Sequence, residues 1–267
     1  MTAALTLENI TVTFAARSAD RATYTAVRDT TLVVERGEFV SVVGPTGCGK
    51  STLLNIAAGL LMPSSGRVSV FSEPLVGFNR KAGYLFQADA LMPWMSALDN
   101  VAIGLIYRGT PREEALNLAR GWLARVGLSA HGHRYPHQLS GGMKKRVALA
   151  QTLIMDPQIL LMDEPFSALD IQTRQLMENE LLDLWSADRK SVVFITHDLE
   201  EAISLSDRVV VLSAGPATHP IGEYAIDLPR PRDVAEIRLT PRFVDLHREI
   251  WYRMKDEVMK GYVQSQK

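Results

Sequence analysis

Residues 39–58 read Phe39-Val40-Ser41-Val42-Val43-Gly44-Pro45-Thr46-Gly47-Cys48-Gly49-Lys50-Ser51-Thr52-Leu53-Leu54-Asn55-Ile56-Ala57-Ala58, and this stretch decides the fold. A β-branched run, a glycine loop and a helix-forming run follow one another without a break, and the loop spells G-x-x-x-x-G-K-[S/T]. Glycines let the backbone curl until its N–H groups converge on a phosphate, and the helix N-terminus behind them adds about half a positive charge. The stretch predicts a nucleoside triphosphate site in an α/β fold, cradled by Gly44, Pro45, Thr46, Gly47, Cys48 and Gly49 and continuing through Lys50, Ser51 and Thr52. Lys50 is expected to reach the β- and γ-phosphates, and the Ser51 hydroxyl to help hold Mg²⁺.

Around this centre the pattern is an alternation of strands and helices. Residues 5–32 carry β-formers on either side of a polar stretch from Ala15 to Thr25, which predicts a strand, a loop and a returning strand in an N-terminal antiparallel β lobe. Short strands follow near Val68–Phe71 and Gly83–Phe86. The β signal then disappears from about residue 88 to 151, and Pro111-Arg112-Glu113-Glu114 opens a helix with proline and acids in its first turn. A helical subdomain is expected there. Strand signals return at Gln158–Met162, Ser191–Ile195 and Arg208–Leu212 around a helical run, Gln172–Ala187, so the core is a parallel sheet. Residues 1–215 read as one domain. Residues 216–267, with Pro216, Pro220, Pro229 and Pro231, read as a linker leading into an amphipathic helix with Phe243, Leu246, Ile250, Met254 and Val258 on one face.

The composition excludes several classes. With 267 residues, 46% hydrophobic and 22% charged, the chain can bury a large core. A formal net charge of −1 offers no basic face for nucleic acid. One cysteine rules out an internal disulfide and suits a reducing compartment. No window approaches the roughly 20 apolar residues of a membrane span, and Met1–Leu5 does not read as a leader, so any membrane association is expected to go through a partner.

A second set of motifs names the reaction. Ile159-Leu160-Leu161-Met162-Asp163-Glu164 is a buried strand ending in two acids, and such strands deliver residues to a nucleotide at their C-terminal edge. Asp163 is expected to orient Mg²⁺ and Glu164 to polarise the attacking water as general base. Leu139-Ser140-Gly141-Gly142-Met143 precedes a helical run, with Ser140 as N-cap and the glycine N–H groups forming a second anion site. One compact domain has little use for two such sites on one γ-phosphate, which implies two chains sharing each nucleotide.

With these residues in place the chain resembles the nucleotide-binding subunit of ATP-binding-cassette (ABC) transporters over about residues 5–215. The phosphate loop, Gln87, the 139–143 signature, Asp163-Glu164, Ser167-Ala168-Leu169-Asp170 and His197 occur in the family's order. The resemblance implies a P-loop ABC cassette that hydrolyses ATP with Mg²⁺ in a head-to-tail dimer, homodimeric or paired with a second cassette. ATP would lie between one subunit's loop and the other's Ser140, Gly141 and Gly142, with Asp170 beside it. Gln87 would join Mg²⁺ and water to the membrane subunit, and His197 would contact the γ-phosphate. An aromatic should stack on adenine; Phe14 sits at the family's usual place, with Tyr24 as rival. Met143 stands where the family commonly has glutamine. Cys48 suggests a thiol activated by the helix N-terminus, which alkylation would reveal, or else a small buried residue.

Phe86–Met95 and Ile226-Asp227-Leu228-Pro229-Arg230-Pro231-Arg232 resemble the nitrate, sulfonate and taurine importer group. That resemblance implies integral permease subunits, an external solute-binding protein reached indirectly, and a peripheral location on the cytoplasmic face of the inner membrane. Pro93 and Trp94 would receive the permease, unless Trp94 packs in the core. The competing readings are a soluble cassette ATPase acting on DNA or ribosomes, a cassette of a non-import membrane complex, and, least supported, a small-molecule kinase. No residue in the chain reports the solute.

Overall fold

The computed structural model describes residues 3–15, 23–88 and 90–265. Most of the polar stretch read between the first two strands, residues 16–22, lies outside the described residues, as does Asp89 of the Phe86–Met95 stretch.

Two sheets meet over the glycine loop. Strands β1 (Ala3–Phe14) and β2 (Tyr24–Glu35) pair antiparallel. With β4 (Ser65–Val70) and β5 (Glu73–Pro74) they form a sheet of order β2-β1-β4-β5. The second sheet has the order β10-β9-β3-β8-β7-β6. Its parallel strands are β3 (Phe39–Val43), β6 (Ala82–Leu85), β7 (Ile159–Asp163), β8 (Ser191–Ile195) and β9 (Arg208–Leu212). Strands β3 and β8 are buried along their whole length, which is why they read as mainly apolar runs, each with one buried serine, rather than alternating ones. Helix α1 (Lys50–Ala57) follows the loop, and its Leu54 and Ile56 join Leu5, Leu7, Ile10 and Val27 in the core between the two sheets.

Residues 97–153 hold three α-helices. Helix α2 (Ala97–Tyr107) is capped by Ser96, whose hydroxyl accepts from the Asp99 N–H. Helix α3 (Arg112–Arg125) starts after Pro111, with Glu113 and Glu114 in its first turn. Helix α4 (Gly141–Leu153) is capped by Ser140. The three enclose their own apolar cluster, including Val101, Leu123 and Val147.

On the far side of the second sheet, α5 (Ile171–Asp188), α6 (Leu199–Leu205), α7 (Val234–Ile237) and α8 (Pro241–Ser265) complete the molecule. Here the structure corrects the reading of residues 216 onward as a linker. Pro220–Ala225 forms β10, which pairs antiparallel with β9 and closes that edge of the sheet. Proline is tolerated at the first residue of an edge strand, so Pro220 obscured the strand without preventing it. The expected apolar face of α8 does pack on its own chain: Phe243, Leu246, Ile250 and Met254 are buried against Leu199, Ile203, Val209 and Val211. Between β10 and α8 the buried guanidinium of Arg232 donates to the carbonyls of Ile203, Ser204 and Ser206 at the end of α6, and to those of Ile226 and Leu228. Desolvation lowers its pKa to about 10, and helix-terminal carbonyls are the partners that suit a buried cation.

Candidate functional site

Parallel strands deliver their C-terminal ends to one edge, and α1 begins at that edge. Gly47 (φ +77°) and Gly49 (φ +109°) take left-handed backbone that L side chains resist, and Gly49 is the N-cap of α1. A Cβ on Gly49 would stand 3.2 Å from the Val27 methyl, a tight approach, and the left-handed backbone there favours glycine. The loop is buttressed from behind, where the Thr218 hydroxyl donates to the Cys48 carbonyl. The Lys50 ammonium is buried over the loop and donates to the carbonyls of Gly44 (2.8 Å) and Pro45 (3.0 Å).

A cleft of about 520 Å³ opens above this loop, lined by Thr46–Gly47, Gly49–Thr52, Gln87, Glu164 and His197. In it the Ser51 hydroxyl donates to the Asp163 carboxylate at 3.0 Å. Burial raises the pKa of that carboxylate, and the bond from Ser51 opposes the rise. One residue on, the Oε2 of Glu164 accepts from the Gln87 amide at 3.3 Å and from Nδ1–H of His197 at 3.0 Å. Glu164 is itself in the left-handed region (φ +43°), pinned by its N–H to the Ile195 carbonyl and by Ser167, whose N–H and hydroxyl donate to its carbonyl. Backbone of that kind costs on the order of 1 kcal/mol and persists where surroundings over-determine it.

The donor set suits a nucleotide-borne Mg²⁺. Among the described residues no three His, Cys, Asp or Glu side chains gather into a metal cage. Mg²⁺ does not need one, since it binds through one or two carboxylates together with substrate phosphates. Ser51 and Asp163 offer hard oxygens 3.0 Å apart beside the glycine loop.

Three pairs of alternatives narrow to one reading each. The Cys48 thiol is buried and its pKa is raised by desolvation, which outweighs the nearby Lys50 charge, so it packs as a small residue rather than as an activated thiol. Phe14 and Tyr24 face each other across β1 and β2, 41% and 48% exposed. It is Tyr24, not Phe14, that lines the crevice of about 410 Å³ beside Pro45, Thr46 and Gly47. The register places Tyr24 at the start of the strand nearer the loop, which the sequence interval between the two aromatics concealed. Trp94 is 72% exposed, which removes its core reading.

Other predicted residues do not line the cleft of their own chain. Ser140 caps α4, accepting from the Met143 N–H, and Asp170 caps α5, accepting from Thr173. The first turns behind these two caps lie close together: a Cβ on Gly142 would stand 2.7 Å from the Thr173 methyl. Two residues that sequence reasoning passed over also serve the cleft. Lys145, buried on α4, donates to the Gln87 carbonyl at 2.6 Å. Tyr84 on β6 donates to Asn55 at 3.1 Å and also interacts with Asp163; its own burial first, and the Asp163 charge second, push the phenol pKa upward. A lysine inside a helix and a tyrosine at a strand end carry no motif, so only the fold reveals them.

The sequence model of the family described as ABC transporter matches residues 27–167. The chain belongs to that family. It is 43% identical over 243 residues to a taurine import ATP-binding protein of Pseudomonas aeruginosa, covering 90% of this chain and 91% of the relative. It is 42% identical over 233 residues to a nitrate import ATP-binding protein of Synechococcus elongatus, covering 86% and 84%. A solved ATP-binding cassette, described as a dimer in a post-hydrolysis state bound to ADP and Pi, superposes with a TM-score of 0.74 at 32% identity over 84% of this chain and all of that one. This ABC chain is accordingly an ATPase with the cassette fold, a parallel sheet core carrying an antiparallel β lobe and a helical part. Among the described residues no helix is long and apolar enough to cross a membrane.

Proposed function

We propose that this ABC ATPase powers import of a small solute of the nitrate, sulfonate or taurine type, working as a head-to-tail dimer attached to permease subunits at the cytoplasmic face of the inner membrane. The observation that carries the reading is the convergence of the Gln87 amide and the His197 ring on one carboxylate oxygen of Glu164 beside the phosphate loop. The two import relatives support the direction of transport.

In this reading the loop N–H groups and Lys50 bind and orient the ATP phosphates. Ser51 and Asp163 would hold Mg²⁺, with Gln87 at its edge; when bound, the ion neutralises phosphate charge. Glu164 takes the proton of the attacking water, and His197 fixes the carboxylate through Nδ1–H and faces the γ-phosphate. Tyr24 stacks on adenine. Ser140, Gly141 and Gly142, solvent-accessible at the start of α4, serve the nucleotide of the partner subunit, so ATP closes the dimer and hydrolysis releases it. Pro93 and Trp94, exposed beyond Gln87, receive the permease, and an external solute-binding protein acts through that permease.

The test is purification of the tagged chain from detergent-solubilised membranes of its native cell. A co-purifying multi-span protein, lost with Trp94→Ala while ATPase activity is kept, supports the reading. Recovery with ribosomes or nucleic acid overturns it.

A further inference from the structure

Arg174 joins the two segments that flank the catalytic carboxylate, and none of the motifs above includes it. It lies in the first turn of α5, directly after Ser167–Asp170. Its guanidinium is a two-pronged bridge. Nη2 donates to the Leu169 carbonyl at 3.2 Å, and Nη1 donates to the Asp198 carboxylate at 3.2 Å. Its Nε stands 3.7 Å from Oε1 of Glu201.

Each far end of the bridge is itself fixed. Asp198, adjacent to His197, caps α6 by accepting from the N–H groups of Glu200 (2.8 Å) and Glu201 (3.2 Å). Glu201 is 3% exposed and accepts from the Thr196 hydroxyl at 2.5 Å, and that same hydroxyl accepts from the Asp198 N–H at 2.9 Å. The backbone on both sides of His197 is thereby held in one network, anchored in α6 and tied by Arg174 to residue 169. At the other end, Leu169 and Thr173 border Gly141 and Gly142: a Cβ on Gly141 would stand 3.7 Å from Leu169, and one on Gly142 2.7 Å from Thr173. A bidentate, planar guanidinium fixes the separation and angle of its two acceptors, which a point-charge ammonium does not.

We propose that Arg174 is a positioning residue for ATP hydrolysis: it locks the 167–170 segment to the 196–198 segment and so sets His197 against Glu164. The inference rests on the roles given above to His197 and Glu164. It makes a specific kinetic claim, because Arg174 touches neither the phosphate loop nor the cleft. Its loss should slow the chemical step and leave ATP binding intact. Displacement of a catalytic group by about 1 Å costs up to about a hundredfold in rate.

The experiment measures steady-state ATPase kinetics of the full-length chain with Arg174→Ala, Arg174→Lys, Asp198→Asn, His197→Ala and the double variant Arg174→Ala/His197→Ala, with fluorescent ATP-analogue binding and thermal melts alongside. Asp198→Asn keeps the helix cap, since asparagine caps as well as aspartate, and removes the ionic partner, so it carries the test even if Arg174→Ala does not fold. The expected result is a kcat lowered about tenfold or more in Arg174→Ala and Asp198→Asn, with KM for ATP changed less than about threefold. Arg174→Lys should stay slow, and the double variant should be no slower than His197→Ala alone. The proposal is overturned by wild-type kcat in Arg174→Ala or Asp198→Asn while His197→Ala is slow, by a raised KM at constant kcat, by full rescue with lysine, or by multiplicative losses in the double variant. His197→Ala at wild-type rate would instead remove the catalytic reading of the cleft itself.

Discussion

Glu164, Lys50 and Cys48 make separable predictions at the residue scale. Glu164→Gln keeps the shape of the side chain and its acceptor for His197 but cannot take a proton, so kcat should fall about a hundredfold or more while ATP affinity is retained. Single-turnover phosphate release beside equilibrium nucleotide binding checks this, and a wild-type rate would exclude Glu164 as base. Lys50→Ala should act on the other quantity, weakening nucleotide binding at least about tenfold through the lost charge-assisted contacts. Cys48 is buried with a thiol pKa raised by desolvation, so brief treatment with iodoacetamide at neutral pH should leave the folded chain unlabelled by mass spectrometry and fully active.

Elements explain which parts of the sequence could be read directly. The loop between β3 and α1 was legible because its glycines, lysine and serine act through backbone geometry that a string of letters encodes. Strand β10 was not, because Pro216, Pro220, Pro229 and Pro231 dominate local reading, while the strand exists only through pairing with β9. Arg174, Lys145 and Tyr84 were invisible for a related reason: each acts across more than 20 residues of chain or between separate elements. The apolar stripe of α8 was plain from its spacing, and what it covers required the fold. Ile250 is fully buried in that contact, so Ile250→Ala should cost about 2–5 kcal/mol in urea unfolding, against about 0.5–1.5 for Ile250→Val. Deleting residues 241–267 should uncover Leu199, Ile203, Val209 and Val211 together and leave the chain aggregating rather than merely deregulated.

At the scale of the whole molecule, one buried acid sets a pH dependence. Glu178, fully buried on α5, has its pKa pushed from the ordinary 4.5 to about 8 by desolvation, which outweighs the Arg238 guanidinium 3.1 Å away. The folded state therefore holds this proton more tightly than the unfolded one. Its contribution to stability is complete below about pH 4.5 and is lost as pH rises towards about 8. Thermal melts between about pH 5 and 8 should fall more steeply for the wild type than for Glu178→Gln; equal slopes would refute this. Light scattering of Glu164→Gln with ATP should report a dimer that ADP dissolves, which the two caps at Ser140 and Asp170, outside the cleft of their own chain, lead us to expect. The left-handed backbone at Glu164 sets two demands on the sequence against each other. Glycine or asparagine would sit there without strain, so Glu164→Gly or Glu164→Asn should melt no lower than the wild type while abolishing turnover. A laboratory selection that rewarded only survival of heat would discard the engine of this protein at that position, and its most durable descendants would be the ones that no longer burn fuel.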